Sequence, residues 1–294
     1  MRGSFEAGGA SIRSHSALNR EVYIGSTEHR GTVYDSRFVP PPKQSVSRAM
    51  IFLVVEGAID WSAPFSAAFR GPVAFRLSSA DYDGVTSGSR QTLRSSGERF
   101  CGIEVRFVTP ELARGVERWG CSDAVWTAAR RYLATIWQSG PKAAEATHAI
   151  ALIRALEDEG VAPASVAASM DVDGEEPLGD LLNAMGVHYR EFDFLPSLQA
   201  IASALDVSLR SLSRLLTSLW DTFPALPWSF RDLMLGVRIR FAVHMLSVEK
   251  LTIREIAKAA GYRHPEAMAN AFKNAGIPSP RDVRAALIHL RAGG

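Results

Sequence analysis

Apolar positions change their spacing along the chain, and each change predicts a different kind of structure. Between residues 22 and 108 they come in short runs rich in β-branched and aromatic side chains, at 22–24, 31–39, 50–59, 73–77 and 101–108. Breakers separate the runs: Pro40-Pro41-Pro42, Gly71-Pro72, Asp83-Gly84 and Ser95-Ser96-Gly97. Many short strands with turn signals predict a β-sandwich or small barrel. After Thr109-Pro110 the period becomes helical. Leu112, Val116 and Trp119 share one face, residues 124–138 form a further helix, and residues 143–156 form another beyond Gly140-Pro141. Residues 1–20 are rich in Gly, Ser and Arg without periodicity and predict a mobile N-terminus.

The last hundred residues hold two helix-turn-helix patterns. In the first, Ile201, Ala202 and Leu205 face inward from a supporting helix, and Val207, Leu212, Leu215, Leu216 and Leu219 continue that core into a second helix. Asp206 stands where the turn needs a left-handed residue, which Asp tolerates. The outward face is Arg210, Ser213, Arg214 and Thr217, spaced as one helical stripe. Arg pairs bidentately with guanine, and Ser or Thr bonds to base edges or phosphates. In the second pattern Ile253, Ile256, Ala257 and Ala260 are the buried face and Gly261 the turn. Thr252 with Glu255 reads as a capping box, and Pro265 suits a first helical turn. Met268 and Phe272 point inward. Glu266, Ala269 and Asn270 face the groove, with Arg263, His264 and Lys273 nearby. Asn can read adenine and Glu can accept from cytosine, but Glu repels phosphate, so this helix positions more than it specifies.

Charge follows the same division. The net charge of +2 covers a basic block from residue 196 onward, with 13 Lys and Arg against 7 Asp and Glu. Beside it, residues 157–195 carry 10 acids and one base. A basic module next to an acidic connector, which includes Met170-Asp-Val-Asp-Gly-Glu-Glu-Pro177, suits a DNA-binding domain whose linker stays off the phosphates. Two cysteines, Cys101 and Cys121, suit a reduced compartment better than a disulfide scaffold. No apolar run approaches membrane-spanning length and residues 1–25 lack a secretory core, so a cytoplasmic protein is expected.

The C-terminal hundred residues resemble the tandem helix-turn-helix domain of AraC/XylS-type transcription regulators. The resemblance rests on Arg238-Ile-Arg-Phe-Ala-Val-His-Met-Leu246, on Ile253-Arg-Glu-Ile-Ala through Ala260-Gly-Tyr262, and on Ala271-Phe-Lys followed by Gly276-Ile-Pro-Ser-Pro-Arg-Asp-Val-Arg284. It implies a long helix that sets two recognition helices in successive major grooves of promoter DNA. Arg210, Ser213, Arg214 and Thr217 become the first readers, Glu266, Ala269 and Asn270 the second, and Ser279 and Arg284 lie near the DNA backbone. The chain departs from the family pattern in a longer connection at residues 220–228, in Asn270 where a basic residue is common, and in an early Gly276.

The resemblance also implies a cupin-like barrel with dimerising helices in the N-terminal half. The expected plan is an α+β multidomain chain: a disordered N-terminus at 1–21 and a β-rich sensor or dimerisation domain with C-terminal helices at 22–160. An acidic linker follows at 161–195, then an all-α DNA-binding domain at 196–294. Phe52, Trp61, Phe65, Phe69, Phe75 and Tyr82 are candidate pocket liners, with Arg76 or Arg106 pairing an acidic effector. Within the β region His29 is the one histidine, which argues against a metal cofactor and against an appended cupin-type enzyme. The expected partners are duplex DNA, RNA polymerase if the protein activates, a small-molecule effector and a second copy of the chain. Control through a protein partner, or a helical unit that no longer binds DNA, are the alternatives.

Overall fold

The computed structural model describes residues 2–18, 22–39, 48–61, 67–78, 93–108, 116–138, 142–164, 166–170, 181, 197–222 and 230–292. Leu112, Phe65, Tyr82, most of the acidic linker and most of the connection at 220–228 lie outside them.

Strand β1 (Arg2–Ala7) turns through Gly8-Gly9 into β2 (Ala10–Leu18), and both glycines take positive φ, +62° and +81°. A two-residue loop with two left-handed centres is the hairpin turn whose twist matches its strands. The N-terminal segment expected to be mobile is therefore ordered, because its polar strands gain backbone pairing and seat Phe5 and Ile12 against a helix. β2 pairs β3 (Val22–Arg30), which pairs β8 (Leu93–Val108). β8 also pairs β5 (Arg48–Trp61), and β7 (Val73–Ser78) and β9 (Glu117–Trp119) complete the path. The short β4 (Tyr34–Asp35) adds to β8 and β6 (Ala67–Arg70) to β5. The result is one antiparallel sheet in the order β1-β2-β3-β8-β5-β7-β9. Residues 31–39, read as one strand, instead give β4 and a 3-10 turn at Ser36–Phe38, whose N-cap Asp35 accepts from the Arg37 amide. Trp119, expected on a helix, lies in β9.

Strand alternation gives the sheet two apolar faces. Ile51, Leu53, Ile103, Val105 and Phe107 pack beneath helices α1 (Asp123–Trp137), α2 (Lys142–Asp158) and α3 (Val166–Met170). Met50, Val54, Trp61, Phe75, Leu77 and Phe100 fill the other face. Gly57, at φ +95°, sits at register shifts between β5 and β8, and a Cβ there would lie 2.7 Å from the Arg99 carbonyl oxygen. Only glycine fits that bulge.

The C-terminal half runs α4 (Leu198–Ala204), α5 (Leu209–Thr222), α6 (Phe230–Leu246), α7 (Ile253–Ala259), α8 (Pro265–Asn274) and α9 (Pro280–Ala292). Residues 241–248 of α6 and its exit are buried without interruption. A helix buried all round needs cover on both sides. Ile256, Met268, Phe272, Val283 and Leu287 cover one side, and Ile12, Val33, Phe38 and Val39 from the sheet domain cover the other. The second helix-turn-helix unit and the sheet domain therefore share one hydrophobic core.

Candidate nucleic-acid interface and interdomain pocket

Each helix-turn-helix unit is set by local chemistry. In the first, Ser197 caps α4 by accepting from the Ala200 amide at 3.0 Å. Asp206 takes φ +52° at the turn, and Ser208 accepts from the Ser211 amide at 3.1 Å where α5 begins. Ile201, Ala202, Leu212, Leu216 and Leu219 are buried, while Leu205, Val207 and Leu215 are half-buried. Arg210, Ser213, Arg214 and Thr217 are all exposed on one stripe of α5, with the Thr217 hydroxyl donating to the Ser213 carbonyl at 3.0 Å.

In the second unit the Thr252 hydroxyl accepts from the Glu255 amide, and the Glu255 carboxylate accepts from the Thr252 amide at 2.7 Å. The Thr252 amide and hydroxyl, both donating to the Glu255 carboxylate, hold that carboxyl below its usual range. Gly261 turns the chain at φ +73°, Pro265 opens α8, and Met268 and Phe272 are fully buried. Arg263, Glu266, Asn270 and Lys273 are exposed and Ala269 is half-buried.

Three expected contacts with DNA have work inside the protein. His264 is the N-cap of α8, its Nδ1 accepting from the Ala267 amide at 3.2 Å. Ser279 accepts from the Asp282 amide and donates to the Asp282 carboxylate at 2.6 Å, starting α9. Arg284, expected near the DNA backbone, instead donates to the carbonyl oxygens of Leu251, Val248 and Glu249. Those carbonyls lie in the turn between α6 and α7, so the guanidinium ties α9 to that turn.

Arg238, part of the sequence motif but given no role, reaches from α6 to the turn of the second unit. It donates to the carbonyl oxygens of Ala260 at 3.0 Å and Gly261 at 2.6 Å, and lies 3.9 Å from the centre of the Tyr262 ring. Charged hydrogen bonds of this kind are worth more than neutral ones. Arg238→Ala is expected to destabilise the second unit by about 2 kcal/mol. Denaturant unfolding followed at α7 and α8 measures it.

Between the sheet and α6 lies a cavity of about 190 Å³. Ser14, Ser16, Tyr23, Ser26, Phe52, Trp61 and Phe100 line its sheet side, and Arg240, Phe241 and His244 its helix side. Tyr23 and Ser16 share a hydrogen bond at 3.2 Å, and burial pushes the Tyr23 phenol up. The expected effector residues divide here. Phe52 and Trp61 border the cavity; Phe75 is wholly buried beside Trp61 and does not. Arg76 instead pairs with Glu117 of β9 at 3.0 Å, and Arg106 with Glu104 while lying over the Tyr23 ring. The positive charge at the cavity wall comes from Arg240 on α6, which strand patterns cannot reveal. Cys101 is buried beneath the helices with its thiol pushed up to about 12, chiefly by desolvation, the character of an inert thiol. Among the described residues no group of three or more His, Cys, Asp or Glu is placed to hold a metal. No helix there is long and apolar enough to cross a membrane.

The chain is similar to solved structures of ToxT and of the AraC-like transcriptional activator CuxR. ToxT from Vibrio cholerae O395 matches at 13% identity with a TM-score of 0.37, covering 90% of this chain and 98% of that one. ToxT bound to (E)-4-(8-methylnaphthalen-1-yl)but-3-enoic acid matches at 11% identity and a TM-score of 0.35, covering 91% and 99%. The AraC-like transcriptional activator CuxR matches at 12% identity and a TM-score of 0.28, covering 72% and 75%. No protein-family model and no curated protein sequence matches the chain.

Proposed function

We propose that this protein is a sequence-specific DNA-binding transcription regulator of the AraC/XylS type, controlled by a small organic effector held between its two halves. The observation that carries the reading is the pair of helix-turn-helix units, each with a buried apolar side and an exposed polar recognition face. Arg210, Ser213, Arg214 and Thr217 on α5 read bases, and Arg263, Asn270 and Lys273 at α8 mainly grip and orient. The excess of Lys and Arg after residue 196 supplies phosphate attraction and a steep dependence on salt.

The effector reading rests on this chain's own cavity. Its volume exceeds the roughly 150 Å³ that admits benzene in an engineered apolar cavity, which suits a small aromatic or short-chain molecule. The lining carries both a cation, Arg240, and a carboxylate, Glu104, so it suits a molecule with polar groups as well as an apolar body. Ser26 Oγ, buried at the wall with no hydrogen-bond partner among the described residues, offers a further polar contact. Because α6 supplies one wall and also belongs to the core of the second unit, a molecule bound there touches both halves. It acts as an effector if it binds the DNA-competent arrangement with different affinity from the other. The protein works in the cytoplasm as a homodimer, engaging RNA polymerase where it activates.

Selection of the full-length protein on random duplex DNA tests the reading. Two enriched blocks about 34 Å apart, one helical turn, are expected, with the richer block under α5. Absence of enrichment together with weak, salt-independent binding would overturn it.

A further inference from the structure

His29 of β3, Thr32 of the following loop and His244 of α6 meet, all buried, at the seam between the sheet and the second helix-turn-helix unit. Thr32 Oγ1 lies 3.0 Å from His29 Nδ1 and 3.2 Å from His244 Nδ1. A hydroxyl carries one proton, so it donates to one ring and accepts the N–H of the other. The two ring centres are 4.9 Å apart, Phe100 stacks on His29 and Tyr34 stacks on His244. Beside them Ser247 Oγ accepts from the Val33 amide at 2.9 Å and donates to the His244 carbonyl at 2.7 Å.

The charged groups around the pair give an imidazolium little help. Arg240 on α6 acts against a proton on His244. From α9, Arg291 donates to the Ser247 carbonyl and Arg284 to those of Val248 and Glu249. On α7, Arg254, Glu255 and Lys258 are exposed. On the sheet side Asp35 is paired with Arg37, Glu28 with Arg30 and Arg99, and Glu104 with Arg106. His15, on the cavity wall, lies between Tyr132 and Glu145.

We propose that the His29–Thr32–His244 bridge is an acid-sensitive latch that holds α6, and with it the second helix-turn-helix unit, against the sheet domain and lets go as pH falls. A proton on either ring places a cation in a buried seam at the edge of the cavity, facing the other ring and Arg240, and opening the seam gives that charge fuller access to water. Burial lowers both histidines, His29 to about 3 and His244 well below its ordinary value. The closed seam thus binds fewer protons than the open one, in which imidazole titrates near 6.5. Closure is fully favoured above that value and weakens as pH drops from there toward 3. Each histidine contributes up to a roughly tenfold rise in the open-to-closed ratio per pH unit. The latch needs no DNA, so its success or failure is separable from the proposed function.

Amide hydrogen exchange of the full-length protein at pH 7.5 and pH 5.5, scaled for the intrinsic rate at each pH, tests it. Protection of residues 33–35 and 237–248 is expected to fall between tenfold and a hundredfold at pH 5.5, while α1 and α2 keep theirs. In a His29→Asn/His244→Asn protein, whose amides reach Thr32 without titrating, protection of the seam is expected to be equal at the two pH values. If that protein lacks near-ultraviolet dichroism at pH 7.5, His244→Asn alone replaces it, with about half the wild-type effect on a logarithmic scale. Unchanged protection in the wild type, loss spread equally over α1 and α2, or an undiminished acid response in the folded variant would each overturn the latch.

Discussion

Phe241→Ala is expected to lower the unfolding free energy by about 3–5 kcal/mol and to split one unfolding transition into two. The ring is buried, stands edge-on to Phe5 with centres 4.8 Å apart, and belongs to the core that joins both halves of the chain. It also borders the cavity, so truncation enlarges an existing void that neighbouring side chains cannot close. That places the cost toward the upper end of the range, since the penalty grows with the cavity left behind. The sheet keeps its own cores beneath α1 and α2 and around Trp61, and the second unit keeps Ile256, Met268 and Phe272. Each half therefore retains a reason to fold while the joint weakens. Denaturant unfolding followed separately by near-ultraviolet and far-ultraviolet dichroism checks this. A single unshifted transition, with a loss under 1 kcal/mol, would remove Phe241 from the joint.

What could be read in the sequence was what short-range chemistry fixes. Thr252 with Glu255, Gly261 and Pro265 lie within a few residues of the turns they build, and Asp206 takes the left-handed conformation its place in the pattern requires. Burial of Ile201, Leu212, Met268 and Phe272 follows from helical spacing alone. The hairpin at Gly8-Gly9 carried a usable signal, two glycines between chain segments of strand length, but the flanking polar residues obscured it. Its apolar anchors, Phe5 and Ile12, become meaningful only beside α6, more than two hundred residues away.

The pocket and the seam were hidden for the same reason. Phe52 and Trp61, nine positions apart on β5, would face opposite ways by simple alternation, and the register shifts around Gly57 bring both to the cavity. Whether an arginine serves a ligand likewise depends on its partner. Arg76 finds Glu117 and Arg106 finds Glu104. The sequence from Ile239 to Val248 did hold a clue, because its polar residues, Arg240, His244 and Ser247, share one narrow stripe and apolar side chains occupy the rest of the circumference. Read that way, it requires a second packing surface besides its own helix-turn-helix unit, and the sheet domain is that surface.

The paired change Arg210→Ala/Arg214→Ala is expected to weaken binding to the selected DNA site by about 2–5 kcal/mol, with little effect on stability. Both side chains are exposed on α5, one turn apart, and the core of that unit lies on the opposite face. Helix positions four apart lie side by side, so the two guanidinium groups address adjacent base pairs and the flanking phosphates. Their losses fall short of full additivity because neighbours share partners. The decisive comparison is with random duplex. Loss of base reading affects the selected site more than unrelated DNA, whereas loss of a phosphate contact lowers both equally and reduces the salt slope by about one per contact. Fluorescence anisotropy on both duplexes across a salt series separates these outcomes. Equal weakening on both would make α5 a backbone clamp and move base recognition to Asn270 and its neighbours on α8.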